Sequence, residues 1–468
     1  MHTNINKQTY VILGGGITGL VIAYILGSNG HRVKIIEASK EVGGLLNTFE
    51  IGGTRLEMFY HHFFTHDAEM MWLIKELGIE DKLIFHETTM GIYYGNKIHN
   101  FNSPIDALKL EGLSILDKIR FGVTSLYLGA IANWKKNEST SILNWLYKYA
   151  GKKATDVIWA PLLKVKFGSF YKDIPISWMV GRLSQRLKSR KKGIEKLGYI
   201  DGSLKVLLDA LSTKLTEYGV EITTDSPIIR LAGVNNKITS IITNSKVIDI
   251  DASDIIISTI PTNILSKLVE NVNKEYSINL AEIKYFGAKC VILETTTKLN
   301  DIYWLNVAEQ GFDFGGVIQQ TNLIDPSTYQ GRYITYLSRY FSFDEKIATM
   351  SQEEVLKLMI PQLQKIFPSL KTESIVNSYV FSTNTAATVC DLNFSRKVPN
   401  CKSPISNLLV CSMPHIYPDE RSCNNSIRIA ANCCTTMGID TSYIPANNSL
   451  SGLIGFDTKI NENQFKNK

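Results

Sequence analysis

Residues 10–44 read YVILGGGITGLVIAYILGSNGHRVKIIEASKEVGG, and this stretch decides the fold. Val11, Ile12 and Leu13 make a short apolar strand, after which Gly14, Gly16 and Gly19 fall at G-x-G-x-x-G spacing. Such a turn uses its first glycine for a sharp bend, its second for close approach to a pyrophosphate and its third for tight helix packing. Ile17 to Leu26 is apolar at helical spacing, with Ile17 and Thr18 in the first turn. That helix aims its free N–H groups and positive dipole end at the phosphate. Arg32 to Ile36 is the next strand, and Glu37, followed by Ala38, lies 18 residues past Gly19, where an acid accepts from a ribose hydroxyl. A lone glycine pattern also occurs in ordinary tight turns. In the order strand, turn, helix, strand and acid it predicts dinucleotide binding.

The residues beyond that acid select the dinucleotide. Gly43 and Gly44 complete a Glu-x5-Gly-Gly pattern that a plain nicotinamide site does not need. It resembles FAD proteins of the amine oxidase and protoporphyrinogen oxidase superfamily, although Leu45, Leu46 and Asn47 stand where an Arg often follows the doublet. The resemblance extends from residue 10 to about 437, through FYHHFFTHD, ELGIEDKL, WAPLLKVKFG, EKLGYIDGS, IISTIP, YWLNV, QQTNLID and IYPDERSCNNSIR. This order of motifs resembles bacterial FAD-dependent oxidoreductases of the protoporphyrinogen oxidase-like type. Their superfamily also holds amine oxidases, carotenoid-type desaturases and UDP-galactopyranose mutases. It implies FAD as cofactor and an α/β, Rossmann-like FAD-binding domain of the GR2 type. A discontinuous substrate domain of mixed sheet plus helices goes with it.

Size and composition agree with that plan. A chain of 468 residues exceeds one ordinary core, and 44% hydrophobic with 20% charged residues describes a folded protein. The first strand begins by residue 10 without a secretory signal, and no run reaches the length of a membrane span, so a cytoplasmic location is expected. The seven cysteines, all from Cys290 onward, show no C-x-x-C spacing, and Cys433 and Cys434 read as buried helix thiols. No metal ligand set stands out. A formal charge of +6 argues against nucleic acid as a partner and leaves a small-molecule substrate. Arg182 to Lys196 nevertheless carries seven basic residues against one acid. This run is a solvated helix face, or it attracts a phosphate-bearing substrate or an anionic membrane surface.

Along the chain, Ala68 to Leu77 predicts a helix, Ile92 to Asn100 a hairpin, and residues 105–150 mainly helices. Of these, FGVTSLYLGAIANW is expected as a buried core helix, with an interfacial, peripheral membrane role as the alternative. A helix over Leu204 to Tyr218, a small meander and the strand before Pro261 return the chain to the first domain. Residues 408–437 return it again, with Asn424 and Asn425 capping the last helix. The expected division is 1–95, 197–265 and 400–440 for the FAD domain, 96–196 and 266–399 for the substrate domain, and 441–468 for a mobile tail.

The resemblance and the residues themselves together supply the candidate site residues beyond the glycines and Glu37. Backbone near Ile228 is placed at the adenine, and Asp419, Arg421, Asn425 and Ser426 at the flavin. The departure here is Ser412-Met413 after the last strand, where a Gly-Asp or Gly-Glu pair is common. His62, Tyr417 and Arg421 are the catalytic candidates, and Tyr60, His61, Gln320, Asn322 and His415 the substrate candidates. A histidine protonated near neutral pH would suit either partner; for these rings, as for His66, hydrogen-bonded core positions stand as the alternative. Lys289 invites comparison with the lysine that holds a water at the flavin in amine oxidases. The expected reaction oxidises a C–N or C–C bond of a small or prenyl-like metabolite by hydride transfer to flavin N5. A redox-neutral nucleotide-sugar pyranose/furanose mutase and a non-catalytic flavin-binding protein are the alternatives.

Overall fold

The computed structural model describes residues 8–102, 106, 109, 113–191, 194–445 and 454–456. Five parallel strands carry the glycine turn, in the order Glu221–Thr223, Arg32–Ile36, Thr9–Leu13, Ile255–Ser258 and Leu408–Val410. Side chains alternate across a strand. Tyr10 and Ile12 therefore pack among the helices Ile17–Ser28, Leu204–Glu217 and Cys423–Thr436. Val11 and Leu13 pack on the other side, against the meander Ile228–Val234, Lys237–Thr243 and Val247–Asp249.

A second sheet has seven strands, in the order Ile375–Thr388, Tyr285–Thr295, Tyr333–Phe341, Gly316–Gln319, Trp304–Val307, Met90–Tyr94 and Lys97–Asn100. It is mixed, because Met90–Tyr94 runs parallel to Trp304–Val307 while the other pairs are antiparallel. The division expected at residue 95 cuts this hairpin, both of whose strands take their ladder partners in the seven-stranded sheet. Val291 and Leu293 face the helix Gln352–Ile366, and Cys290 and Ile292 face the opposite way, toward Tyr60 and Tyr336.

Against one part of the seven-stranded sheet packs a helical segment whose core includes Leu128, Trp134, Ile142, Leu146, Trp159 and Trp178 together with Ile92, Tyr285 and Phe286. The stretch expected as a buried core helix departs from that reading. It forms the end of the helix Ile115–Leu126, a π turn Tyr127–Ile131 and the residues up to Trp134, with Leu128 and Trp134 buried but Val123, Leu126 and Ile131 exposed. Its apolar residues exceed what one face can bury against the fold.

The expected mobile tail is corrected in part, since Ile444 and Phe456 are buried and Phe456 lies against the His415 ring. The last helix starts at Cys423, because the Ser422 hydroxyl accepts from Asn425 N–H at 3.1 Å and so caps it. Asn424 is inside the helix instead, donating to Glu69 and accepting from Met70 N–H.

Candidate cofactor and substrate site

The glycine turn opens into a cavity of about 860 Å³. Gly14 has φ +104°, a conformation that suits glycine, and a Cβ there would come within 2.8 Å of the Thr259 hydroxyl. Gly19 is more constrained, since its Cβ would meet the Gly14 carbonyl oxygen at 2.1 Å. By contrast, a Cβ at Gly16 would meet nothing in the protein and would project into open space. Gly16 caps the helix Ile17–Ser28 without any side-chain acceptor, and no acid occupies the first turn. The N–H groups of that turn are thus left to an anionic ligand.

Glu37 holds the bend from both sides, accepting Gly15 N–H at 2.6 Å and Ser39 N–H at 2.8 Å. Gly43 and Gly44, both at positive φ, fold the second doublet against Gly15 and Gly16 through Gly43 N–H to Gly15 O at 2.8 Å. Beside them Asn47 leaves a buried Oδ1 without a hydrogen-bond partner on the cavity wall. Ile17, Thr18, Ala38, Ile228 and Ser426 line the same cavity, whereas Gly19 sits behind it as a packing residue. A glycine turn without competing side chains, an acid beyond it and an orphaned amide oxygen fit a dinucleotide.

A second wall comes from the helices Ala160–Phe167 and Ile176–Ser189. Arg182 and Arg186 are four residues apart and share a helix face. Both reach the cavity, with Lys166 beside them. Glu420 Oε1 takes both Lys166 Nζ, at 3.4 Å, and Arg182. Arg186 forks onto the buried Glu195 at 3.1 and 3.2 Å. Trp178 lies against both cations, with Lys166 Nζ 4.7 Å and the Arg182 guanidinium 5.7 Å from its ring. Burial and the Arg182 charge push the Lys166 ammonium down to about 7. Sequence reading missed this group, because the basic run gave no sign of which face of the helix turns inward. The Arg182/Arg186 spacing was the available signal.

The aromatic and histidine segment lines the cavity through Tyr60, His61 and His62. His61 Nδ1 is 2.6 Å from Phe59 O, and His62 Nδ1 is 3.2 Å from the Tyr303 hydroxyl. Protonation near neutral pH is corrected for both. Burial first, then the charge of Arg421 for His61 and of Arg186 for His62, lowers each to about 4. His66 is elsewhere, stacked on Phe64.

Arg421 lines the cavity and donates to Ala386 O and, at 3.0 Å, to the Tyr340 hydroxyl. Several candidates lie away from it. Tyr417 is bonded to Ser177 at 2.5 Å and packed on Trp134 and Phe394. Asp419 sits 3.9 Å from Arg428, and Asn425 donates to Glu420 O at 2.7 Å while accepting from Arg428 at 2.8 Å. His415 is turned back onto Ser412 in the core. Asn322 donates to the carbonyls of Asn300 and Ile302, and Gln320 is buried beyond the cavity wall. Lys289, on the face that carries Val291 and Leu293, donates to Met350 O at 3.0 Å. These side chains position the turns around the cavity, and the direction of each was set by tertiary packing.

Residues 17–391 match the family model described as flavin containing amine oxidoreductase. Among curated proteins, an L-amino-acid oxidase of Sistrurus catenatus edwardsii is 30% identical over 104 residues, 22% of this chain and 20% of that protein. Zeta-carotene desaturase of Solanum lycopersicum is 27% identical over 179 residues, 33% of this chain and 30% of that protein. The chain thus matches a third or less of these relatives' length. Among solved structures, a protein assigned as a protoporphyrinogen oxidase from Exiguobacterium sp. 255-15 superposes with TM-score 0.73 at 14% identity, covering 92% of this chain and 98% of the other. Reduced UDP-galactopyranose mutase gives 0.68 at 14% identity, covering 93% and 96%. The fold is shared by enzymes of different chemistry, but the family match and the site agree on FAD as the cofactor: the chain belongs to the flavin-containing amine oxidoreductase family.

Proposed function

We propose that the protein oxidises a C–N or C–C bond in an amphiphilic substrate that carries an anionic group. The observation behind this reading is the cavity wall in which Lys166, Arg182, Arg186 and Arg421 stand beside Trp159, Leu162, Leu163, Trp178, Met179 and Leu183. Bound FAD supplies a two-electron acceptor for hydride. The protein then has three tasks: to orient the substrate, exclude water and settle charge. Arginine guanidinium groups suit a carboxylate or phosphate through paired N–H donors. Glu420 and Glu195 offset part of the positive charge, so the wall is cationic without being a bare cluster. The apolar side chains align the rest of the substrate and keep water from the reacting carbon. Neutral His61 and His62 accept or donate hydrogen bonds there without adding charge.

Screening FAD-loaded protein anaerobically against amino acids, polyamines, porphyrinogens and prenyl carboxylates tests the proposal. Bleaching of the visible flavin band by an anionic compound is expected. A second reading, the nucleotide-sugar mutase, draws on the same four cations, since a diphosphate is also met by Arg and Lys. It predicts sugar-ring exchange by pre-reduced protein with no net change in flavin redox state.

A further inference from the structure

We propose that the helix Ile115–Leu126 and the π turn after it dock on an anionic lipid bilayer surface. The helix turns a continuous apolar stripe to solvent, with Ile115 77%, Ile119 54%, Val123 62%, Leu126 58% and Ile131 74% exposed. These positions recur every three to five residues and so share one face. No helix among the described residues is long and apolar enough to cross a membrane. The geometry is that of a helix lying in the interfacial plane.

Two further features fit the same occupant. Tyr127 stacks on Trp145 at 5.8 Å with an interplanar angle of 14°, and Trp145 meets Tyr149 at 4.9 Å. Tyr127 and Tyr149 are exposed beside the stripe, as aromatic side chains are at the headgroup level of membranes. Charge decides which surface is complementary. Residues 115–153 carry seven Lys and Arg against two acids. Asp117 accepts from Ser114 and Glu138 from Ser395, and Lys152 pairs with Asp156 at 2.9 Å, so the remaining basic residues still outnumber the two acids. A two-fold contact between two copies would bring these positive margins together, whereas anionic headgroups neutralise them.

The docked face backs onto the cavity wall. A Cβ at Gly129 would lie 2.5 Å from Leu187 Cδ1, so the π turn packs directly on the helix that sends Arg182, Leu183 and Arg186 into the cavity. The inference stands on the surface alone and holds whichever bond the enzyme oxidises.

Sedimentation of the full FAD-loaded chain with phosphatidylcholine vesicles, with and without phosphatidylglycerol, tests it. Binding that needs phosphatidylglycerol and weakens with added salt is expected. The double variant Ile119→Glu/Val123→Glu should keep its flavin spectrum and melting temperature while losing about tenfold or more in partitioning. Lys135→Glu/Lys136→Glu, on exposed side chains, should remove the phosphatidylglycerol-dependent part and covers the case in which the first variant misfolds. Failure to bind at low salt, wild-type binding by a folded form of either variant, or a dimer split by Ile119→Glu/Val123→Glu without vesicle binding would each overturn the proposal.

Discussion

Lys166 Nζ lies 3.4 Å from Glu420 Oε1, the same oxygen that Arg182 reaches. Burial alone would raise the Glu420 carboxyl, yet the charges of Arg182 and Lys166 prevail and hold it below its ordinary range. Lys166 bears the cost of this crowding, with an ammonium pushed down to about 7 by burial and by Arg182. The wall therefore contains Arg182 and Arg186 fixed on carboxylates, Arg421 held by Ala386 O and the Tyr340 hydroxyl, and one lysine whose ammonium is pushed down to about 7.

Anion binding should follow Lys166. Below pH about 7 its ammonium is charged, so pyrophosphate, read from perturbation of the flavin spectrum, should bind most tightly there and weaken as pH rises. Lys166→Met should flatten this dependence, and Lys166→Arg should carry tight binding into the alkaline range. Stability runs the other way. The unfolded chain binds the extra proton between about 7 and the ordinary lysine value, so the free energy of unfolding, and with it stability, rises with pH across that window, and Lys166→Met removes this dependence. A wild-type binding profile that stays level across neutrality contradicts this account of Lys166.

Gly16 and Gly19 should fail in different ways. Nothing in the protein meets a Cβ at Gly16, so Gly16→Val should fold with an unchanged melting temperature and lose FAD affinity, on the order of tenfold or more. Gly19→Ala forces a methyl into the Gly14 carbonyl and should cost about 1–3 kcal/mol of stability. Thermal melts of the apoprotein and FAD titration separate the two outcomes. Equal loss of stability in both variants would show that the open space beside Gly16 is not where the ligand lies.

The buried pair Glu69–Arg428 ties the last helix to Ala68–Glu76, with Asn424 donating to Glu69, Asn425 accepting from Arg428 and Asp419 3.9 Å from Arg428. Removing one partner leaves an uncompensated charge, so Glu69→Leu should cost about 3–5 kcal/mol in urea unfolding. The double variant Glu69→Leu/Arg428→Met should recover much of that loss. If it is no more stable than Glu69→Leu, the pair is not the source of the penalty.

Lys289→Met should leave flavin reoxidation by air unchanged, because this side chain donates to Met350 O on the face of the strand opposite Cys290 and Ile292. Stopped-flow reoxidation of wild type and variant decides the point. A substantially slower variant would bring Lys289 back as a residue near the flavin.

These contrasts show which parts of the molecule were legible in the sequence. The turn at Gly14, Gly16 and Gly19 and its acid Glu37 were legible because local backbone sterics and short spacing specify them. Strand identity was legible from apolar runs such as Tyr285–Thr295, but not which face Lys289 would take once that strand was paired on both sides. The loop before the last helix was singled out in the sequence, yet its side chains divide. Arg421 faces the cavity, while His415, Tyr417 and Asp419 turn into the protein. The division follows from contacts with Ser412, Ser177 and Arg428, of which Ser177 is far away in sequence. Likewise, the inward turn of Arg182 and Arg186 depends on Glu420 and Glu195, carboxylates on other elements.

The most direct test of the central claim is an anaerobic titration of the FAD-loaded protein with anionic amphiphiles, following the flavin band in wild type and in an Arg182→Leu variant. The account predicts stoichiometric bleaching in wild type by a compound that binds the variant more weakly, with colour restored by an electron acceptor. Sugar-ring exchange catalysed by the reduced protein, with no bleaching by any compound that binds the cationic wall, would contradict it.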